Sequence, residues 1–251
     1  MRLLSLFTTL ILAVTAQAAD EYAAATFTGA RGVLTYRILS PAKIEPGVRY
    51  PLVIFLHGAG ERGDDNTSQL RHGGALFSNP ENREKYPAFV IFPQCPNGKR
   101  WVEVDWGDAN PHQQPKEPGD PMSSVIELVP SLMKSLPVDR SRVYVMGMSM
   151  GGFGTWDLAA RHPEWFAAAV PICGGADNST APLLAKLPIW TFHGDQDPTI
   201  HVERTRSMVE ALNKAGGSPK YTELPGIQHN AWNSAFADPG LLPWLFAQKR
   251  P

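Results

Sequence analysis

Five short apolar runs, "YPLVIFLHG" (50–58), "AFVIFPQC" (88–95), "SRVYVMG" (141–147), "WFAAAVPICG" (165–174) and "LPIWTFHG" (187–194), are spaced along the chain. Each is long enough for a strand and too short for a core helix, and most are rich in β-branched or aromatic residues. Between and after them lie "MSSVIELVPSLMKSLP" (122–137), "GGFGTWDLAARHP" (151–163) and "VERTRSMVEALNKAG" (202–216), with apolar residues at helical spacing and Pro or Gly at their ends. Strands that are apolar on consecutive residues need cover on both faces. The alternation therefore predicts an α/β domain with a mostly parallel central sheet flanked by helices on both faces. "KYTELPG" (220–226) is less apolar and predicts a peripheral strand, and 26–41 predicts an antiparallel entry strand or hairpin.

Three polar segments break the alternation: 59–87, 96–121 and 227–240. Each follows the carboxyl end of a strand, the edge of a parallel sheet where ligands bind. The Pro-rich stretch 96–121 carries Trp101 and Trp106 and is expected either to wall a pocket or to lie loose on the surface.

Composition excludes several classes. In 251 residues, 43% are hydrophobic, 19% are charged and the formal net charge is −1, with no block of like charge. That is an ordinary globular balance, and it gives no reason to expect a nucleic-acid or anionic-membrane partner. At the N-terminus, Arg2 precedes an apolar run from Leu3 to Thr15 and the small-x-small site Ala16-Gln17-Ala18. This is the layout of a secretory leader, so residues 1–18 are expected to be removed, leaving 19–251 as one domain in the periplasm or outside the cell. Export would permit a Cys95–Cys173 disulfide, but neither cysteine lies in a CxxC and two buried free thiols are the favoured expectation.

Gly147-Met148-Ser149-Met150-Gly151 has the form G-x-S-x-G. Alone it is a weak signal. Here it closes a strand and opens a helix, as a nucleophile elbow requires, so Ser149 is the candidate nucleophile. A serine hydroxyl needs a base, and the base needs an orienting acid, in the chain order Ser, Asp, His. Asp195 and Asp197 follow a strand, and His229 follows the last one; His201 is expected to be solvated. Asp197 is preferred because Pro198 restricts its backbone, with a helix N-cap as its structural alternative. The backbone N–H groups of Met150 and Ala59 are candidate oxyanion donors. His57 is expected to brace its loop, and the run Glu61 to Asp65 to be loop architecture. Trp101 and Trp232 are candidates for binding substrate, with core positions as the alternative for each.

Taken together, "LHGAGERGDDN", "FPQCP…W", "GMSMGGFGTWDLAARHPEWFAAAVPICGG", "HGDQDPTI" and "QHNAW" resemble the secreted α/β-hydrolases related to polyhydroxybutyrate depolymerase, feruloyl esterase and acetylxylan esterase. That group includes chains described as prolyl-oligopeptidase-type peptidases. The resemblance covers essentially the whole chain after residue 18. It implies an α/β-hydrolase fold, a Ser149–His229–Asp197 triad, no cofactor or metal, and small acyl or hydroxycinnamoyl esters, including those on oligosaccharide fragments, as substrates. One departure is Ile200-His201, where such chains often carry Val-Pro. The rival readings are a serine peptidase and a non-catalytic binding protein on the same scaffold. Exported protein is expected to begin at Ala19; N-terminal sequencing that finds Met1 retained overturns the leader.

Overall fold

As a computed structural model, the protein is described over residues 21–251, and the expected leader at 1–18 lies outside the described residues. Eight strands form one sheet in the order β1-β2-β4-β3-β5-β6-β7-β8. β1 (Tyr22–Gly29) and β2 (Gly32–Leu39) form the antiparallel hairpin expected near the start, and β2 runs antiparallel to β4 (Phe89–Pro93). From β4 through β3 (Tyr50–Leu56), β5 (Val138–Met148), β6 (Ala168–Ile172), β7 (Trp190–Gly194) and β8 (Lys220–Leu224) every pairing is parallel.

The continuous apolar runs have the cause the sequence suggests. Every residue of β3 is buried, and its side chains alternate between two cores. Leu52, Ile54 and Leu56 pack with α1 (Asp120–Ser135), α2 (Met150–Arg161) and α3 (Glu203–Lys214). Val53 and Phe55 face the opposite side, against α4 (Ala231–Ala237) and α5 (Leu241–Ala247). β8, by contrast, is only partly buried, as its composition predicts. The segment 227–240 differs from the expected loop, because it contains α4. That helix buries only Ala231 and Ala235, one turn apart, too short a period to register in sequence. Among the described residues, no helix is long and apolar enough to cross a membrane.

The segment 96–121 has no regular structure up to Asp120, yet it is not loose. Arg204 of α3 is 1% exposed and donates from Nη2 to the Asp105 carbonyl at 2.7 Å and from Nε to the Asp108 carbonyl. Its guanidinium lies over the Phe153 ring of α2. Arg161 of α2 donates to the Pro115 carbonyl at 2.6 Å, and Gln114 donates to Asp157 at 2.8 Å. Two helices thus hold the segment along the carboxyl edge of the sheet.

Candidate active site

β5 ends at Met148 and α2 begins at Met150, so Ser149 alone makes the turn, at φ 55° and ψ −120°. A non-glycine residue in that region carries strain of about 1–3 kcal/mol and persists only where its surroundings impose it. Ser149 N–H donates to the Ile172 carbonyl at 2.9 Å, and the Ser149 carbonyl accepts from Phe153 N–H at 3.1 Å. The flanking glycines are fixed by space. A Cβ on Gly151 would stand 1.8 Å from the Leu56 carbonyl oxygen, and one on Gly147 would stand 2.5 Å from the Gly151 oxygen.

So held, Ser149 Oγ lies 2.8 Å from His229 Nε2, and His229 Nδ1 lies 2.7 Å from Asp197 Oδ2. A nitrogen facing a carboxylate carries the proton, so Nδ1 donates and Nε2 accepts from the serine hydroxyl. The other Asp197 oxygen accepts from the N–H groups of Thr199 and Ile200, both at 2.9 Å. This is cap-like bonding, although α3 itself starts only at Glu203. Asp195 is turned away, accepting from Gly226 N–H at 2.6 Å. His201 is exposed, as expected, whereas Ile200 is 1% exposed and lines the cleft; the departure from Val-Pro therefore leaves the acid loop intact.

A second histidine stands behind the acid. His193 of β7 is fully buried, with Nε2 3.3 Å from Asp197 Oδ2 and 2.9 Å from the Ile200 carbonyl. Two oxygens facing Nε2 require a proton there. Sequence reasoning missed this residue, although a histidine inside an apolar strand, four residues before the acid, was a usable signal. Burial alone would raise the Asp197 carboxyl. Hydrogen bonds from His193, His229 and Ile200 N–H outweigh that and hold it below the usual carboxylate range.

The oxyanion-donor candidates sit on either side of Ser149. Met150 is the first residue of α2, so its N–H has no intrahelical acceptor, and Ala59 opens a short 3₁₀ turn directly after β3. His57 braces that turn as expected. Its Nδ1–H donates to the Gly58 carbonyl at 2.6 Å, and its Nε2 accepts from Cys95 N–H at 2.9 Å. Burial pushes its pKa down to about 4, so the ring is neutral.

An open cleft of about 300 Å³ surrounds these groups, walled by Ala59, Trp106, Ile200 and Trp232 beside Ser149 and His229. Trp232 stands in this cleft, with its ring edge-on to His229 at 5.4 Å. Trp101 is a correction. It is fully buried, donates from Nε1 to the His57 carbonyl at 3.0 Å, and fills the space left by the missing side chain of Gly154. Trp106 takes the place in the cleft. Cys95 and Cys173 are both free and buried. Donor atoms of Cys173, Asp197 and His229 lie within 4.8 Å of one another, a possible metal-ligand set. However, burial and the nearby Asp197 charge hold the Cys173 thiol protonated, and the other two groups are already bonded to each other.

The profile of the family described as phospholipase/carboxylesterase matches residues 42–239. Poly(3-hydroxyalkanoate) depolymerase C of Paucimonas lemoignei is 27% identical over 192 residues, covering 71% of this chain and 42% of that protein. Feruloyl esterase B of Neurospora crassa is 30% identical over 125 residues, covering 50% of this chain and 39% of that one. The chain spans about two fifths of the length of these curated relatives. A solved thermostable esterase matches with a TM-score of 0.87 at 36% identity, over 93% of this chain and 64% of that one. A ferulic acid esterase of 17% identity shares the fold, with a TM-score of 0.67 over 90% of this chain and 97% of that one. The architecture is the α/β-hydrolase fold expected from the sequence.

The imidazoles of His57, buried, and His112, half-buried, set a pH dependence. His57 and His112 are both pushed down to about 4, chiefly by burial, from an ordinary value of 6.5. Between those values the unfolded chain binds protons that the folded chain refuses, so stability falls as pH drops from about 6.5 to about 4. Urea unfolding across that window should show this fall. His57→Gln should make it shallower, by roughly one proton's share, relative to its own stability at pH 8. An unchanged slope overturns the assignment of a neutral His57.

Proposed function

Since the chain belongs to the phospholipase/carboxylesterase family, we propose that it is an exported serine carboxylic-ester hydrolase. Its substrates are small acyl or hydroxycinnamoyl esters, among them esters on polysaccharide fragments. The observation that carries this reading is the unbroken hydrogen-bonded chain from Ser149 Oγ through His229 to Asp197. In the reaction, His229 Nε2 takes the hydroxyl proton as Ser149 Oγ bonds to the ester carbonyl carbon. The Asp197 carboxylate keeps the other imidazole proton on Nδ1 and stabilises the imidazolium that forms.

The carbonyl oxygen, now bearing the charge, takes the N–H groups of Met150 and Ala59. Collapse of this intermediate expels the alcohol, which leaves with the proton from His229 Nε2. Water then adds to the acyl-enzyme by the same steps, releasing the acid and restoring the serine. The positive end of α2 lies beside this site and favours the transient anion.

The test is a hydrolysis panel of p-nitrophenyl acetate through octanoate, methyl ferulate, acetylated xylan and a peptide anilide. Esters are expected to turn over and the anilide not. Ser149→Ala should lower kcat by about 10⁴-fold or more with the circular dichroism spectrum unchanged. Full activity in a folded Ser149→Ala variant overturns the nucleophile.

The acid is tested separately. Asp197→Asn removes the acceptor that fixes the His229 tautomer, and should cost on the order of 10⁴-fold in kcat. Asp195→Asn loosens only a turn and should cost about 10-fold or less. The reverse order, measured on one activated ester, would mean that the acid is misassigned.

A further inference from the structure

Glu61 stands apart from other well-bonded carboxylates of the molecule. Asp65, four residues away, accepts from Thr67 N–H, Ser68 N–H and Gln94 Nε2 at 2.9, 3.0 and 2.7 Å. Asp157 accepts from Gln114 and Arg161, and Asp197 from two N–H groups and an imidazole. Glu61 is 4% exposed and borders the catalytic cleft, yet the nitrogen donors nearest its carboxylate are His72 Nε2 at 3.4 Å and Arg71 Nη1 at 3.7 Å. Both contacts are too long for good hydrogen bonds. A carboxylate accepts about four hydrogen bonds, and burying one so poorly supplied is costly.

Its position gives the cost a use. Glu61 Oε2 and Ser149 Cβ both face the Cα of Gly58, at 3.0 and 3.6 Å from where a Cβ would stand. The carboxylate therefore shares the Gly58 end of the cleft with Ser149 and Ala59. A negative charge there, only loosely paired with Arg71, opposes the developing oxyanion, which argues against a part in the bond-making step. An aromatic wall runs from it toward the reacting centre: the His72 ring lies 5.4 Å from Trp232, and Trp232 lies 5.4 Å from His229.

We propose that Glu61 anchors a subsite for a hydroxyl group carried by the substrate close to the scissile carbonyl. Resting on the ester-hydrolase reading above, this makes Glu61 the residue that separates a hydroxylated ester from its unhydroxylated counterpart. The Glu61 carboxylate accepts the hydroxyl proton in a charge-assisted hydrogen bond, while the carbon skeleton lies against Trp232. A cationic substituent fits less well, because Arg71 already places positive charge at the same carboxylate.

The experiment compares kcat/KM on two matched pairs: propyl acetate with glycerol monoacetate, and methyl butyrate with methyl 3-hydroxybutyrate. The first pair reads a hydroxyl on the alcohol side and the second a hydroxyl on the acyl side. Wild-type enzyme is expected to favour the hydroxylated ester about 10-fold or more in one pair, and Glu61→Gln to collapse that ratio toward one. Equal rates within both pairs for the wild type overturn the subsite while leaving ester hydrolysis intact. A Glu61→Gln loss common to both members of the preferred pair overturns it too, since that is damage to the loop and not to hydroxyl recognition. Absence of turnover on all four esters would instead strike the ester-hydrolase reading itself.

Discussion

Contact between the backbone of α2 and that of β3 is the constraint on which the rest depends. With 1.8 Å between a notional Gly151 Cβ and the Leu56 oxygen, helix and sheet touch main chain to main chain. That approach drives the turn between β5 and α2 into one residue and forces Ser149 into a left-handed conformation. The hydroxyl then projects from the carboxyl edge of the sheet instead of folding back against the helix. A larger residue at 147 or 151 would lift the helix and release the strain together, so packing and chemistry here are one property.

The acid loop solves a different problem, that of keeping a carboxylate charged while shielding it from water. Asp197 is 7% exposed, and burial works against its ionisation. Two backbone N–H groups take one oxygen and two imidazoles face the other, so the charge is spread over four donors. One of those donors, His229, is thereby held in a single tautomer. The stability of the loop and the orientation of the His229 ring toward Ser149 depend on the same few bonds.

Much of this was legible in the sequence because the physics behind it is local. Continuous apolar runs reveal strands covered on both faces, and small residues two positions from Ser149 reveal a turn with no room. The order Ser149, Asp197, His229 follows from which strand ends face the same edge. What escaped depends on contacts between distant segments. Trp101 and Trp106 lie in a Pro-rich stretch with no periodicity, and Trp101 goes inside where Gly154 leaves room and the His57 carbonyl accepts its Nε1–H. Glu61 sits in "GERGDD", which has the look of a solvated turn, but Gly58 and the loop bearing Arg71 and His72 close over it. His193 belongs to an apolar run, and its use appears only when Asp197 comes back beneath it.

Arg204 has a mechanical consequence. The helix that carries it begins six residues after Asp197, and its guanidinium grips the carbonyls of Asp105 and Asp108 on the segment bearing Trp106. The far wall of the cleft and the acid loop are therefore coupled like two jaws on one hinge pin. Swinging the wall outward would strand a buried guanidinium without acceptors, at a cost of several kcal/mol. Access to Ser149 is then governed by the fixed width of the gap, so only a group narrow enough to pass between the two jaws reaches the hydroxyl.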